Sequence, residues 1–194
     1  MSKINYFDSV KGSQFKKVEV QEVLQKIENG HWKDQINDIR YHVKNGSSIE
    51  ASEIKGNLPA VTISATFKER RKIGFVDKYS GLLHLDYDKL EDIEEVKANL
   101  ISIPYTYSAF ISPSGNGVKV LVKCDSDIST HTTAFNNLRG YYDKIVGVES
   151  DKSVKDITRL CYVSYDPDLY LNETSEVFKH KSSTLDQIDL NWVW

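Results

Sequence analysis

The run Leu82-Leu83-His84-Leu85-Asp86-Tyr87-Asp88 ends an apolar alternation with two carboxylates two residues apart. On a β-strand, residues two apart face the same way, so His84, Asp86 and Asp88 share one face and Leu83, Leu85 and Tyr87 the other. Two carboxylates on one face, about 7 Å apart along the strand, can share one or two divalent ions. Hard oxygen ligands favour Mg²⁺ or Mn²⁺ over zinc. Such ions take phosphate oxygens as further ligands, and a pair of them can activate a 3′-hydroxyl and stabilise a pyrophosphate leaving group. Taken alone, the same alternation also describes a plain half-exposed strand. His84 reads either as a group supporting the carboxylates or as a solvent-facing histidine.

Other polar residues belong to the same chemistry if the fold brings them near. In Ser112-Pro113-Ser114-Gly115-Asn116-Gly117, two glycines permit positive φ and close backbone approach, so amide groups could cradle phosphate. Asn-Gly is also the strongest hairpin signal, and the two roles are compatible. Lys119 follows the turn, as a phosphate contact or as the exposed side of a strand. Asp151, Lys155, Asp156 and Arg159 precede a last apolar run, where Arg159 pairs with Asp156 or Asp151 or contacts a triphosphate. The basic cluster Lys68-Glu69-Arg70-Arg71-Lys72 is either a solvated loop or a contact for a nucleic-acid backbone.

The elements that must position these residues follow from periodicity. Val20, Val23, Leu24 and Ile27 predict a helix over 20–28, stopped by Asn29-Gly30. A second is expected from His31 to Lys44, with Trp32, Ile36, Ile39 and Val43 inward. A third is expected after Ser47-Ser48, through Ile54. Residues 1–17 are polar and show no clear period; with these three helices the first quarter reads as helical. Ala60–Phe67 is β-branched and predicts a strand. Leu82–Asp88, Thr106–Ser112, Val118–Cys124 and Thr158–Tyr165 are further strands. Lys89–Ile101 is an amphipathic helix, with Leu90, Ile93, Val96, Lys97 and Leu100 on its pattern. Ser129 is expected to cap another helix to Ile145, with Phe135, Leu138, Tyr142 and Ile145 inward. One more strand is expected near Val177.

The order from Leu82 is β-α-β-β-α-β, the ferredoxin-like or RRM-like unit. The expected class is α+β, with an N-terminal helical lobe over 1–57, a core over 58–178 and a tail over 179–194. Strand order 4-1-3-2 would set the end of the first strand beside the starts of the third and fourth. Asp86, Asp88, Gly117, Lys119, Asp151 and Arg159 would then meet at one sheet edge.

With 25 Lys and Arg against 28 Asp and Glu in 194 residues, the net charge is −3. That balance counts against tight, sequence-independent binding of duplex DNA through a global basic field. Cys124 and Cys161 lie in apolar runs without C-x-x-C spacing and read as buried reduced thiols. There is no membrane-spanning apolar stretch and no signal-peptide core at Met1–Asp8, so a cytoplasmic location is expected. Asn191–Trp194 ends the chain abruptly, as a cut in a longer chain would.

These motifs resemble the archaeo-eukaryotic primase and primase-polymerase superfamily. Its acid-x-acid strand end is matched by Leu83-His84-Leu85-Asp86-Tyr87-Asp88. Its Ser-Gly-x-Gly-x-His hairpin is resembled by Ser114-Gly115-Asn116-Gly117-Val118-Lys119. Its third aspartate, before an arginine-bearing strand, is resembled by Asp151 and Lys155-Asp156-Ile157-Thr158-Arg159-Leu160. Within that superfamily the chain looks most like the primase-like VirE N-terminal domain of bacterial and mobile-element proteins. Leu58-Pro59, Ser80-Gly81-Leu82, and Ser164-Tyr165-Asp166-Pro167 with Asn172 carry that likeness, over roughly residues 55–175.

The resemblance implies a metal-dependent nucleotidyltransferase that makes or extends primers from nucleoside triphosphates on a single-stranded nucleic-acid template, in replication of a bacterial or mobile element. Asp86, Asp88 and Asp151 would be catalytic and hold Mg²⁺ or Mn²⁺. Ser114, Gly115, Gly117, Lys119 and Arg159 would bind the nucleotide. Two departures stand out: Lys119 replaces the usual histidine, and Ser164-Tyr165-Asp166-Pro167 replaces the usual Pro-Gly-Thr. A lysine can still meet phosphate as a point charge. Relatives often precede a P-loop helicase domain, and no G-x-x-x-x-G-K-[ST] occurs here, so a helicase partner would lie on another segment or chain. Two alternatives remain open. One is a catalytically inactive module that binds nucleotide or single strands and serves a replicative helicase. The other is a Mg²⁺-dependent nuclease, although no His-x-His pair of the relaxase kind is present.

Overall fold

The computed structural model describes residues 2–181, and the fold is α+β. The chain opens with β1 (Lys3–Phe7), antiparallel to β2 (Lys16–Glu19). The first quarter, expected to be helical, also holds these two strands, which begin within the residues that show no clear period. Asn5, fully buried in the middle of β1, hides the alternation, and its side-chain oxygen accepts the Phe67 amide at 2.6 Å. A buried polar residue with a backbone partner is satisfied, but it reads as loop in a sequence pattern.

Three helices follow: α1 (Val20–Glu28), α2 (Lys33–Lys44) and α3 (Ser48–Lys55). Their buried faces carry Val20, Val23, Leu24, Ile27, Ile36 and Ile39, as the period predicts. The anticipated strand over 60–67 is two short ones, β3 (Ala60–Thr62) and β4 (Ala65–Phe67). The break is held by the Thr62 hydroxyl, which donates to the Ala65 carbonyl at 2.8 Å. β4 pairs with β5 (Val76–Tyr79), and the basic run 68–72 caps that hairpin.

The second half supplies β6 (Leu82–Tyr87), α4 (Ile93–Ser102), β7 (Thr106–Ile111), β8 (Val118–Lys123), α5 (His131–Val146), β9 (Leu160–Tyr162) and β10 (Tyr170–Leu171). Helix α4 starts four residues later than expected because Asp92 caps it, its carboxylate accepting the Glu95 amide at 2.9 Å. Ser129 is not the cap of α5; Thr130 holds that position, and Asp127 accepts the Thr130 amide at 2.9 Å. Gly147, at φ 77°, ends α5 in the left-handed conformation that favours glycine.

The strands form a sheet β10-β7-β8-β6, a sheet β2-β1-β3-β9 and the hairpin β4-β5. The β-α-β-β-α-β order is present, and β6, β8 and β7 are antiparallel neighbours as anticipated. The fourth strand departs from the 4-1-3-2 order. β9 pairs with β3, Ala60 facing Tyr162 and Thr62 facing Leu160, and so joins the other sheet. The reason is apolar burial. Cys161 and Val163 pack into the core formed by Ile4, Leu24, Ile27 and Val61. What the preceding segment gives β6 is a hydrogen bond from the Asp151 amide to the Asp86 carbonyl, 2.8 Å.

The central sheet is covered on both faces. Leu83, Leu85, Tyr87, Val118, Val120 and Val122 meet α4 and α5 through Leu100, Phe135, Leu138 and Tyr142. On the other face Leu82, Phe110 and Leu121 meet α1 and α2. The strand expected near Val177 is an isolated parallel bridge between Phe178 and Cys124. Among the described residues no helix is long and apolar enough to cross a membrane. The expected cut at Asn191–Trp194 and most of the 179–194 tail lie outside the described residues.

Candidate functional site

The register of β6 and β8 sets Asp86 opposite Lys119 and His84 opposite Leu121. All four therefore project from the sheet face that meets the N-terminal half of the chain. Lys119 is only 5 % exposed, and its ammonium donates to Asp86 Oδ2 in a direct ion pair. Burial works against the Lys119 charge, yet the Asp86 carboxylate outweighs it and holds the ammonium pKa above its ordinary value. The other Asp86 oxygen, Oδ1, is buried without a hydrogen-bond partner. His84 is 4 % exposed, so the solvent-facing reading is set aside. Burial, then the Lys119 charge, pushes its pKa down to about 3, leaving a neutral ring behind the ion pair.

Asp88 follows at the mouth of the strand. Desolvation, then the charge of Asp86, raises its carboxyl above the usual range. Lys89 is the one described non-glycine residue at positive φ, 56°. That turn takes the chain away from the sheet directly after Asp88, a backbone position that costs energy outside glycine.

The turn after β7 is built tightly against this strand end. A Cβ on Gly117 would run into the Tyr87 carbonyl oxygen, and only glycine lets β8 start this close to β6. Ser112 donates its amide to the Gly117 carbonyl at 2.8 Å, and Gly115 donates to Ser112 at 3.0 Å. Ser114 is used internally too, its hydroxyl bonding Asn116 Oδ1 at 2.7 Å. Arg40 of α2 braces the turn from behind, donating to the carbonyls of Ser112 at 3.2 Å and Tyr165 at 2.8 Å.

Asp151 arrives from a distant segment. It caps a short 3₁₀ turn, Lys152–Lys155, accepting from the Ser153 amide at 2.8 Å, with Arg159 3.7 Å away. Desolvation acts upward on its carboxyl, but the Ser153 hydrogen bonds and Arg159 prevail and hold it below the usual range. Arg71 spans the same rim, donating to the Thr158 carbonyl at 2.7 Å.

Together these side chains line a polar cleft of about 360 Å³, walled by Lys55, Arg71, Asp86, Asp88, Ser112, Lys119, Asp151, Arg159 and Tyr162. The structure thus brings together Asp86, Asp88, Asp151, Lys119 and Arg159. Of the turn, Ser112 reaches the cleft wall, whereas Ser114 and Gly115 do not, and Gly117 acts by its lack of a side chain. Arg71 belongs to the basic cluster flagged in the sequence. Lys55 was missed. It sits at the last turn of α3 and reaches over the Tyr162 ring, 5.1 Å from the centroid. Desolvation, then repulsion from Lys119, lowers its pKa. Its position in sequence carries no signal of this, because the α3–β9 approach is long-range.

A divalent cation fits the chemistry of Asp86 and Asp88. One has a buried orphan oxygen and the other a carboxyl strained by desolvation and like charge, and a cation between them relieves both. The three aspartates do not converge as a closed ligand set among the described residues, since Asp86 is bonded to Lys119 and Asp151 to Ser153. Asp86 and Asp88 are therefore the inner pair, and Asp151 stands at the rim.

No curated protein matches this chain, and no solved structure does. A family model does match, over residues 53–171, a span that holds every cleft-wall residue named above. The chain belongs to the family described as BT4734-like, N-terminal domain.

Proposed function

We infer that the cleft is a metal-triphosphate site and that the protein is a nucleotidyltransferase of primase-polymerase type. The observation that carries this reading is the orphan Oδ1 of Asp86 beside Asp88, in a cleft whose wall also holds Lys55, Arg71, Lys119 and Arg159. Two carboxylates backed by Lys55, Arg71, Lys119 and Arg159 suit a ligand that is itself a metal–polyphosphate complex. Mg²⁺ or Mn²⁺, when bound, would supply charge neutralisation of the phosphates and a lowered barrier to hydroxyl attack. Asp86 and Asp88 would hold it, with Asp151 completing the site if its rim turn shifts inward. Lys119 and Arg159 would neutralise the phosphates. Ser114, Gly115 and Gly117 would contribute by the shape of their turn.

In the reaction a primer 3′-hydroxyl attacks the α-phosphorus of a nucleoside triphosphate. A new phosphorus–oxygen bond forms as the bond to the bridging oxygen breaks. Pyrophosphate leaves with the electron pair, and the hydroxyl proton passes to solvent. A single-stranded template, and a P-loop helicase on a further segment or chain, are the partners that belong to this reading. The fine topology belongs to it as well: β6-α4-β7-β8-α5-β9 follows the ferredoxin-like order, with its last strand transferred to the second sheet.

Primer synthesis and extension assayed with Mg²⁺ or Mn²⁺ test the reading. Asp86→Ala and Asp88→Ala should each lower turnover by about 10²–10³-fold, the scale at which one charge-stabilising group commonly acts. Equal activity in wild type and both variants would sink it, and degradation of the template instead would identify a nuclease. One observation favours a second reading, a nucleotide-binding module without turnover: the Lys119 ammonium already neutralises Asp86. Triphosphate binding by calorimetry, with no product formed under any metal, is the result that would select it.

A further inference from the structure

A second group of ligating side chains lies away from the cleft. Cys124, Asp125 and His180 place a thiol sulfur, a carboxylate oxygen and an imidazole nitrogen all within 4.8 Å of one another. They are 56 positions apart in the chain at the widest, so no spacing motif announces them. The fold assembles them directly. The end of β8 runs beside the segment around Phe178: the Phe178 amide donates to the Lys123 carbonyl at 2.8 Å, and the Asp125 amide returns to the Phe178 carbonyl at 3.2 Å. That pairing sets His180 against Asp125, its Nδ1 2.7 Å from Oδ1. The Cys124 sulfur is 3.9 Å from the same oxygen.

We propose that Cys124, Asp125 and His180 form a zinc site that fastens the segment around Phe178 to the end of β8. Thiolate, imidazole and carboxylate together are the donor set of Zn²⁺ rather than of Mg²⁺. Tetrahedral ligands at zinc bond lengths stand about 3.5 Å apart, so the three donors need to move by less than about 1 Å each. Two anionic ligands and one neutral one balance the ion's charge. The fourth position falls to water, because Asp125 is exposed and opens the cluster to solvent. Lys179, 3.8 Å from Asp125 Oδ2, is the competing cation. Its side chain is 75 % exposed, so it is free to swing into water when an ion enters.

Cobalt(II) is the probe, because a thiolate ligand gives it a charge-transfer band that oxygen ligands do not. The full chain, stripped with chelator, should bind one Co²⁺ with that band, and Zn²⁺ should displace it. Cys124→Ser should abolish the band while Cys161→Ser and Asp88→Asn leave it intact. His180→Ala, at a residue outside the core, should weaken Zn²⁺ binding by roughly tenfold or more with the fold unchanged by circular dichroism. Absence of the band, its survival in Cys124→Ser, or unchanged affinity in His180→Ala would each overturn the proposal. None of these results depends on the chemistry of the Asp86 cleft.

Discussion

Among the described residues two lysine–aspartate pairs are buried, and they are finished to different degrees. Lys97 of α4 and Asp166 meet at 2.8 Å, with side chains 9 % and 1 % exposed. Every part of that pair is used. Asp166 Oδ2 also accepts the Ile111 amide at 2.8 Å, Oδ1 accepts the Asp168 amide at 3.0 Å, and Lys97 donates a second bond to the Asp168 carbonyl at 2.8 Å. Lys119 and Asp86 are nearly as buried, yet Asp86 Oδ1 has no partner. A complete pair is a structural tie that locks the segment after β9 to α4 and β7. An incomplete pair beside an exposed carboxylate is the arrangement of a site that expects a ligand.

The largest effect on stability should separate the two. Lys97→Met strands the Asp166 charge among satisfied neighbours and should cost about 3–5 kcal/mol by denaturant unfolding, with no recovery on adding Mg²⁺. Lys119→Met strands Asp86 in the same way, but an ion can take the place of the ammonium. Mg²⁺ at about a hundred times its dissociation constant should restore roughly 2.7 kcal/mol to that variant. Rescue of both variants, or of neither, would erase the distinction between the pairs.

A smaller effect follows from the neutral ring behind the open pair. The native pKa of His84, about 3, lies below the unfolded value near 6.5, so the unfolded chain binds the extra proton between these values. Stability should therefore rise with pH through this window and fall as the solution is acidified. In chelator, His84→Gln should remove about 2 kcal/mol of the loss between pH 8 and pH 5. The unfolding midpoints of the two proteins measured across that range check the sign. An acid sensitivity identical in both would mean that His84 is not the buried neutral group described.

Much of this was legible in the residues. The 20–28 helix, the β6–β8 alternation and the carboxylate pair all follow from periods of 3.6 and 2, because apolar burial sets them locally. Lys97 even fell on the apolar stripe of its helix, a hint that it is buried. Other features depend on contacts distant in sequence. Whether Lys119 is a solvated strand residue or a buried ion depends on its register against Asp86. The transfer of β9 to β3 depends on competition between two sheet edges, which a strand's own sequence does not encode. β1 was lost because buried Asn5 is satisfied by Phe67, sixty-two residues away. Asp166, in the run that replaces the usual Pro-Gly-Thr, is the centre of the finished pair, and its partner Lys97 is sixty-nine residues away.

The most direct measurement concerns the unfinished pair itself. Mn²⁺ binding, followed by electron paramagnetic resonance with and without a nucleoside triphosphate, reports the cleft before any turnover. The metal and the triphosphate should each tighten the other's binding by the same factor, roughly tenfold or more, and Asp88→Asn should abolish the coupling. Mn²⁺ binding that ignores both the triphosphate and the Asp88 substitution would contradict the assignment of this cleft as a metal-triphosphate site.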